Sequence, residues 1–234
     1  MQAHDTPSFL LFKLWPQIEE NKNVIFITAG VILAGTLIFS YVSYHSEQQE
    51  IAAGQAVTQV LMAQNPATSG KQFAADILAV AKQHAGTMAA VRAQLEGASA
   101  LYNEGQYADA QVQFQKLLDS NAETFFRATA ALGVAASLEA QGKSDLALTA
   151  YQHTASYSEG EAALAANFAL GRLYEAAGKS NDAINYYSRA AAAGNSEIGA
   201  EANARLAALK LKQAPVKPAA TLSAPIATPL PLTK

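Results

Sequence analysis

The sequence predicts an all-α protein, with a single transmembrane helix followed by an α-solenoid of about three to four helical hairpins. Three observations support this prediction. Residues 24–44 form an uncharged apolar run, three later segments share one pattern, and half of the chain is apolar although aromatics make up only 8%. Alanine accounts for much of that apolar content, and it is the strongest helix former.

The apolar run reads VIFITAGVILAGTLIFSYVSY from Val24 to Tyr44 and contains no charged residue. A helix of this length spans roughly 30 Å, the thickness of the hydrocarbon layer. Lys13 and Lys22 precede the run and no Lys or Arg follows before Lys71, so the positive-inside rule places the N-terminus in the cytoplasm. The alternative is a cleaved signal peptide, whose apolar core would be shorter and followed by a small-residue cleavage site. We expect an uncleaved anchor.

Three segments align without gaps: residues 101–118, 138–155 and 174–191. Each has a glycine, an alanine five residues later and an aromatic residue four residues after that. The matched sets are Gly105, Gly142 and Gly178; Ala110, Ala147 and Ala183; and Phe114, Tyr151 and Tyr187.

This spacing predicts three helical hairpins. Each glycine can end a first helix in the left-handed conformation that disfavours other residues. Ser144 and Ser180 follow two of these glycines and are expected to cap the second helices. The alanine lets the second helix cross close to the first, and the aromatic side chain fills the space between hairpins.

The pattern resembles the tetratricopeptide repeat, and the third unit, FALGRLYEAAGKSNDAINYYSRA, resembles it most. The first two units depart from it, because Ala98 and Ala135 replace the first-helix glycine and Leu101 and Leu138 replace its tyrosine. The terminal proline is missing from all three. The matching positions in the third unit are Leu170, Gly171, Tyr174, Gly178, Ala183, Tyr187 and Ala190.

Helices are also predicted on both sides of the repeats. The membrane helix should continue through Gln64 and stop before Pro66, because the residue before a proline disfavours helix. Residues 71–86 form a second helix, and the two make a degenerate hairpin that starts the array. Residues 197–212 read as one capping helix, with Ile198, Ala202, Leu206 and Leu209 inward and Glu201, Arg205, Lys210 and Lys212 in solvent.

The chain is thereby divided into four parts. Residues 1–23 form a cytoplasmic N-terminal segment, 24–44 the transmembrane helix and 45–212 a periplasmic tetratricopeptide-repeat-like domain. Residues 213–234 carry five prolines, which oppose helix and sheet, so this tail is expected to be disordered and partly polyproline II.

The sequence contains no motif that is typical of a catalytic, cofactor-binding or nucleic-acid-binding site. Net charge is −3 and no Lys/Arg cluster could neutralise a row of phosphates, so nucleic-acid binding is not expected. There is no cysteine, no HExxH, no GxSxG and no phosphate or dinucleotide loop. Glu159 and Glu161 flank Gly160 at what reads as a solvated helix start. We expect no enzyme, catalytic residue, cofactor or metal; the histidines are His4, His45, His84 and His153, spaced too far apart for an i, i+4 metal pair.

The resemblance to the repeat implies a concave protein-binding groove lined by the first helix of each hairpin. Its residues are carried over position by position, and for each apolar one simple packing against a neighbouring helix is an equal alternative. They are Arg92, Leu95, Tyr102 and Asn103 in unit one; Leu132, Ala136 and Glu139 in unit two; and Phe168, Arg172 and Glu175 in unit three.

The layout also resembles one particular family, the ancillary subunit of the bacterial Sec (SecYEG) translocon. The similarity covers roughly residues 10–210, and its most telling stretch is LAVAKQHAGTMAAVRAQLEGASALYNEGQYADAQVQFQKLL, residues 78–118. The pairing of Ala85-Gly86-Thr87 with the first hairpin is the family-like feature. The proline-rich tail and the less acidic cytoplasmic segment depart from the family pattern.

This resemblance implies an inner-membrane protein beside the export channel, with translocon subunits, periplasmic chaperones or exported chains as partners. The repeats alone indicate only a tethered protein-binding scaffold. The alternatives are a scaffold for another envelope complex, in cell division, cell-wall synthesis or secretion, and a structural homo-oligomer. The sequence leaves the oligomeric state open.

Overall fold

The computed structural model describes residues 19, 21–64, 69–193 and 196–213. Within these ranges all regular structure is helical. The predicted N-terminal cytoplasmic segment up to residue 18 and the tail from residue 214 lie outside the described residues. The helices are α1 Lys22–Ala63, α2 Gly70–Gln83, α3 Met88–Asn103, α4 Tyr107–Leu118, α5 Thr124–Ala140, α6 Ser144–Tyr157, α7 Gly160–Ala176, α8 Ser180–Ala190 and α9 Glu197–Gln213, with a 3₁₀ turn at Ala191–Ala193.

Helix α1 is continuous over 42 residues and contains the whole apolar run. It ends at Ala63 with Gln64 as its C-cap, one residue before the predicted end, and Pro66 lies outside the described residues. Among the described helices, α1 is long and apolar enough to cross a membrane, judged by length and composition alone. The described side chains of its apolar run, from Val24 to Tyr44, are exposed; Phe26 and Phe39, for example, are 75% and 74% exposed.

The chain divides into two compact units between Lys143 and Ser144. The first unit contains α1 to α5, and the second contains α6 to α9 and the 3₁₀ turn. The boundary falls inside the second predicted repeat, so its first helix belongs to one unit and its second helix to the other.

The first unit has a small core where α1, α2 and α3 meet. Phe73, Ile77 and Ala81 of α2 are buried together with Ala93 of α3, and Val57 of α1 packs against them. Ser69 caps α2 by accepting a hydrogen bond from the Gln72 amide at 3.2 Å. The predicted pairing of the C-terminal half of α1 with α2 is therefore confirmed.

A carboxylate of α1 caps the N-terminus of α3. The two oxygens of Glu50 accept hydrogen bonds from the backbone N–H groups of Met88 and Ala89, each at 2.7 Å. Thr87 accepts from Ala90 N–H at 3.0 Å. Since the first amides of a helix lack partners within it and favour a negative charge, Glu50 holds α1 against α3 by both geometry and electrostatics.

The three repeat glycines make the same turn. Gly105, Gly142 and Gly178 have φ of +76°, +74° and +72°, as predicted. In each case the glycine N–H bonds to a carbonyl three residues back, and the next residue's N–H bonds five residues back, which is the Schellman arrangement. Each first helix therefore ends in a left-handed glycine that satisfies its last carbonyls.

The predicted serine caps are wrong. Ser180 is the first residue of α8, its N-cap is Lys179, and no side chain caps this helix. Ser144 likewise is the first residue of α6. The reason is the tightness of the turn: after the glycine a single residue precedes the next helix, so the serine is already inside it.

Small residues and aromatic rings pack as the repeat pattern requires. Ala110, Ala147 and Ala183 are fully buried, and Phe114, Tyr151 and Tyr187 are at most 5% exposed. In the first unit, a methyl group added to Gly133 of α5 would lie 2.6 Å from the Phe114 ring. In the second, one added to Gly171 of α7 would lie 2.5 Å from the Tyr187 ring.

Helix α9 covers the end of the second unit. Ala202 and Leu209 are buried against Ala183, Tyr187 and Ala190 of α8, and Leu206 packs beside them. The inward assignment is confirmed for these α9 residues, whereas Ile198 is only half-buried. The four charged α9 side chains predicted to lie in solvent are exposed.

We predict that Glu50→Gln lowers the free energy of unfolding by about 1–3 kcal/mol, because it removes the charge from two hydrogen bonds to a helix end. The matched control is Glu47→Gln, one turn earlier on α1, where the side chain is exposed. Thermal unfolding of the full-length protein in mild detergent, followed by circular dichroism, measures both. Equal midpoints for the two variants would contradict the role given to Glu50.

Candidate protein-binding surface

Helix α3 presents the first group of predicted groove residues. Arg92, Leu95, Tyr102 and Asn103 recur at helical spacing and therefore share one face of α3. Arg92 and Asn103 are exposed, whereas Leu95 and Tyr102 are half-buried. The Tyr102 ring meets that of Tyr107 edge to face, with centroids 5.2 Å apart, and this contact fixes the aromatic end of the face.

Helix α5 presents the second group. Leu132, Ala136 and Glu139 share one face and are all half-buried. Two turns before Leu132, Phe125 lies on the same face and is 67% exposed, with its ring edge to face against the buried Phe126. The sequence analysis missed Phe125, although an aromatic residue seven positions before Leu132 is a readable signal of the same helix face.

Helix α7 presents the third group. Phe168, Arg172 and Glu175 share one face; Arg172 is exposed and the other two are half-buried. The Phe168 ring lies 5.6 Å from that of the buried Tyr187, which sets its orientation. Each predicted groove residue is thus at least partly accessible on its own helix.

Glu175 also has a structural role. Its carboxylate accepts a hydrogen bond from the Tyr187 hydroxyl at 2.8 Å and lies 3.9 Å from the Arg205 guanidinium of α9. Burial raises the pKa of Tyr187 well above its ordinary value of 10.0, and the bond to Glu175 raises it further. The neutral phenol is therefore the form that the fold stabilises, and this triad joins α7, α8 and α9.

A second aromatic cluster lies on α7 and α8. The rings of Tyr174 and Tyr186 stack with centroids 5.2 Å apart. Lys179 lies over the Tyr174 ring at 5.8 Å, and Arg189 over the Tyr186 ring at 5.3 Å. Burial, followed by the neighbouring Tyr186, raises the pKa of Tyr174. The stacked rings and the two cation–π contacts stabilise the α7–α8 hairpin. The sequence analysis did not anticipate it.

The described residues contain no cluster of potential metal ligands. No three or more His, Cys, Asp or Glu side chains within them are placed to hold a metal ion. His45 and His153 are exposed and His84 is half-buried, while His4 lies outside the described range. Glu159 is the N-cap of α7 and Glu161 lies in its first turn, as a solvated helix start requires.

A family model described as a tetratricopeptide repeat-like domain matches residues 15–217. No curated protein matches the chain.

Among solved structures, two crystal structures of nearly identical TPR-like repeats from a Podosopora anserina kinesin light chain candidate are similar. One of them is its Q17M form, with 16% identity, a TM-score of 0.48, and coverage of 70% of this chain and 84% of that one. The other has 16% identity, a TM-score of 0.47, and coverage of 70% and 85%.

We predict that Tyr187→Phe lowers the free energy of unfolding by about 1–3 kcal/mol near neutral pH, because the hydroxyl that donates to Glu175 is lost. Above about pH 10 the unfolded tyrosine releases a proton that the folded one keeps, so wild-type stability falls as pH rises. The variant should show a shallower fall.

Thermal midpoints of the full-length protein at about pH 7 and pH 11 test this prediction. Tyr157→Phe is the control, since Tyr157 is 75% exposed and stacks beside His153. The same pH slope in Tyr187→Phe as in the wild type would contradict it.

Proposed function

This chain belongs to the tetratricopeptide repeat-like domain family, and we propose that it is an inner-membrane-anchored scaffold that binds other proteins through the first helices of its repeats. Repeats of this type generally mediate protein–protein interactions and are typical of scaffolds rather than enzymes. The observation that carries the proposal is that α3 and α5 in the first unit, and α7 in the second, each present accessible side chains at helical spacing on one face.

The tether is the second part of the proposal. Its support is α1, whose described apolar run is exposed and has a length that matches the hydrocarbon thickness. Glu50 lies on the same helix, beyond that run, and binds the start of α3. A helix that is apolar at one end and fixed to a repeat hairpin at the other suits a protein that holds its repeats beside a membrane. The lysines before the run favour a periplasmic array.

The partners we propose are translocon subunits, periplasmic chaperones or exported chains. This part rests on the resemblance of residues 78–118 to the ancillary translocon subunit. The groove residues suit such partners, because an extended or helical segment of another protein offers apolar side chains for Leu95 and Phe168 and charges for Arg92 and Arg172.

In-cell photo-crosslinking of the full-length, anchored protein tests the proposal. A benzophenone amino acid replaces Tyr102 or Phe168, and crosslinked partners are identified by mass spectrometry. Controls at Val112 and Tyr157 lie on second helices and are 51% and 75% exposed. We expect crosslinks to channel subunits or periplasmic folding factors from the first pair and not from the controls.

Other outcomes are informative. Crosslinks dominated by division, cell-wall or secretion proteins would keep the scaffold and replace its partners. Crosslinks between copies of this chain would favour a structural homo-oligomer. Equal crosslinking from test and control positions would contradict binding through the first helices.

A further inference from the structure

A groove of about 440 Å³ lies between α1 and α2, within the first unit. Its floor is apolar and includes Val60 of α1 together with Phe73 and Val80 of α2. Phe73 and Val80 are buried, whereas Val60 is half-buried. This volume falls in the range of roughly 300–1,000 Å³ that holds small ligands, so the groove can take a short segment rather than a folded domain.

The rim of this groove is lined by carboxamides. Gln59 and Gln64 come from the α1 side, and Gln72 and Gln83 from the α2 side, all of them exposed. Among the described residues, only Gln72 of these four uses its side-chain amide in a hydrogen bond, to Asp76 at 2.8 Å. Each carboxamide can donate two hydrogen bonds and accept through its oxygen. The rim therefore offers both kinds of hydrogen-bonding group around an apolar floor.

Polypeptide backbone is the ligand chemistry that matches this rim. An extended chain presents N–H and C=O groups along its length, and alternate side chains point to one side. Carboxamides can pair with those backbone groups while an apolar side chain enters the floor. A phosphate or another anion would find no Lys or Arg in the lining.

The charge of the lining indicates which peptide segments the groove favours. Asp76 is the one ionisable side chain in the lining, and Gln72 donates to one of its oxygens. A carboxylate on the segment would be repelled by Asp76, and an ammonium or guanidinium would be attracted. We propose that the α1–α2 groove binds an extended, neutral-to-basic peptide segment of a partner protein.

The α1–α2 groove is separate from the faces of α3, α5 and α7 described above. None of its lining residues lies on α3, α5 or α7. Because it is built on the helix that continues from the apolar run, it would lie on the same side of the membrane as the repeats if α1 is the tether. Peptide binding here does not depend on that orientation, and the proposal can fail or hold whatever the repeats bind.

Fluorescence anisotropy with two labelled decapeptides tests the proposal. Both are alternating Leu and Ser, one with a central lysine and one with a central glutamate, and the protein is full-length in lipid nanodiscs. We expect the lysine peptide to bind about tenfold more tightly. Asp76→Lys should reverse this preference.

Val60→Trp should abolish binding by filling the floor. Its matched control is Thr58→Trp, since Thr58 is exposed two residues earlier on α1 and does not line this groove. Phe168→Ala, in the face of α7, reports whether the peptide binds to a repeat face instead. Circular dichroism checks that each variant keeps its helical content, and the surface change Asp76→Lys keeps the test decisive if Val60→Trp does not fold.

Three results would overturn the proposal. The first is no saturable binding of either peptide to the wild type. The second is an unaltered lysine preference in Asp76→Lys, which would place the binding elsewhere. The third is loss of binding in Phe168→Ala with the fold intact, which would assign the peptide to the repeat face instead.

Discussion

Close helix crossing is the constraint on which the rest of this structure depends. Two helices can approach only where a small residue removes the side chain between them, and the fully buried Ala110 and Ala183 do this in their hairpins. At Gly171 the tolerance is smaller still, because an added methyl would overlap the Tyr187 ring. Since a single hairpin cannot bury its apolar face alone, the chain repeats it. The side chains left outside these crossings form the accessible faces of α3, α5 and α7.

Polar contacts then fix elements that apolar packing alone would leave free to slide. Glu50 binds the first amides of α3 and so sets where α1 meets the first unit. In the second unit, Glu175 joins α7 to α8 and α9 through Tyr187 and Arg205. Both carboxylates accept hydrogen bonds, Glu50 from the first amides of α3 and Glu175 from the hydroxyl of the buried Tyr187. If one helix shifted along its neighbour, these polar groups would lose their partners. The same Glu175 belongs to the accessible face of α7, so a partner bound there would contact a group that also holds the fold.

Local features of this fold could be predicted from the sequence, because their physics is local. Gly105 predicts a left-handed turn, because glycine adopts a positive φ without steric cost. The four-residue spacing from Ala183 to Tyr187 predicts that both lie on one helix face. Contacts between distant residues could not be predicted: Glu50 meets Met88 across 38 positions, and nothing beside Glu50 in the sequence indicates it. The serine caps were wrong because the sequence does not show that one residue suffices between Gly178 and the next helix. The helix faces carrying the candidate groove were readable from spacing, whereas the second use of Glu175 required the fold.

The central claim, a repeat array held outside the cytoplasm by α1, is tested most directly by site-specific thiol labelling. The chain has no cysteine, so single replacements are free of background. Cysteines at Glu19 and at Ala204, both exposed, are treated with a membrane-impermeant maleimide in cells whose outer membrane alone is permeabilised. We predict labelling of Ala204→Cys at once and of Glu19→Cys only after the inner membrane is opened, with the full-length protein in the membrane fraction. Protection of Ala204→Cys, or a shortened protein released in soluble form, would contradict the claim.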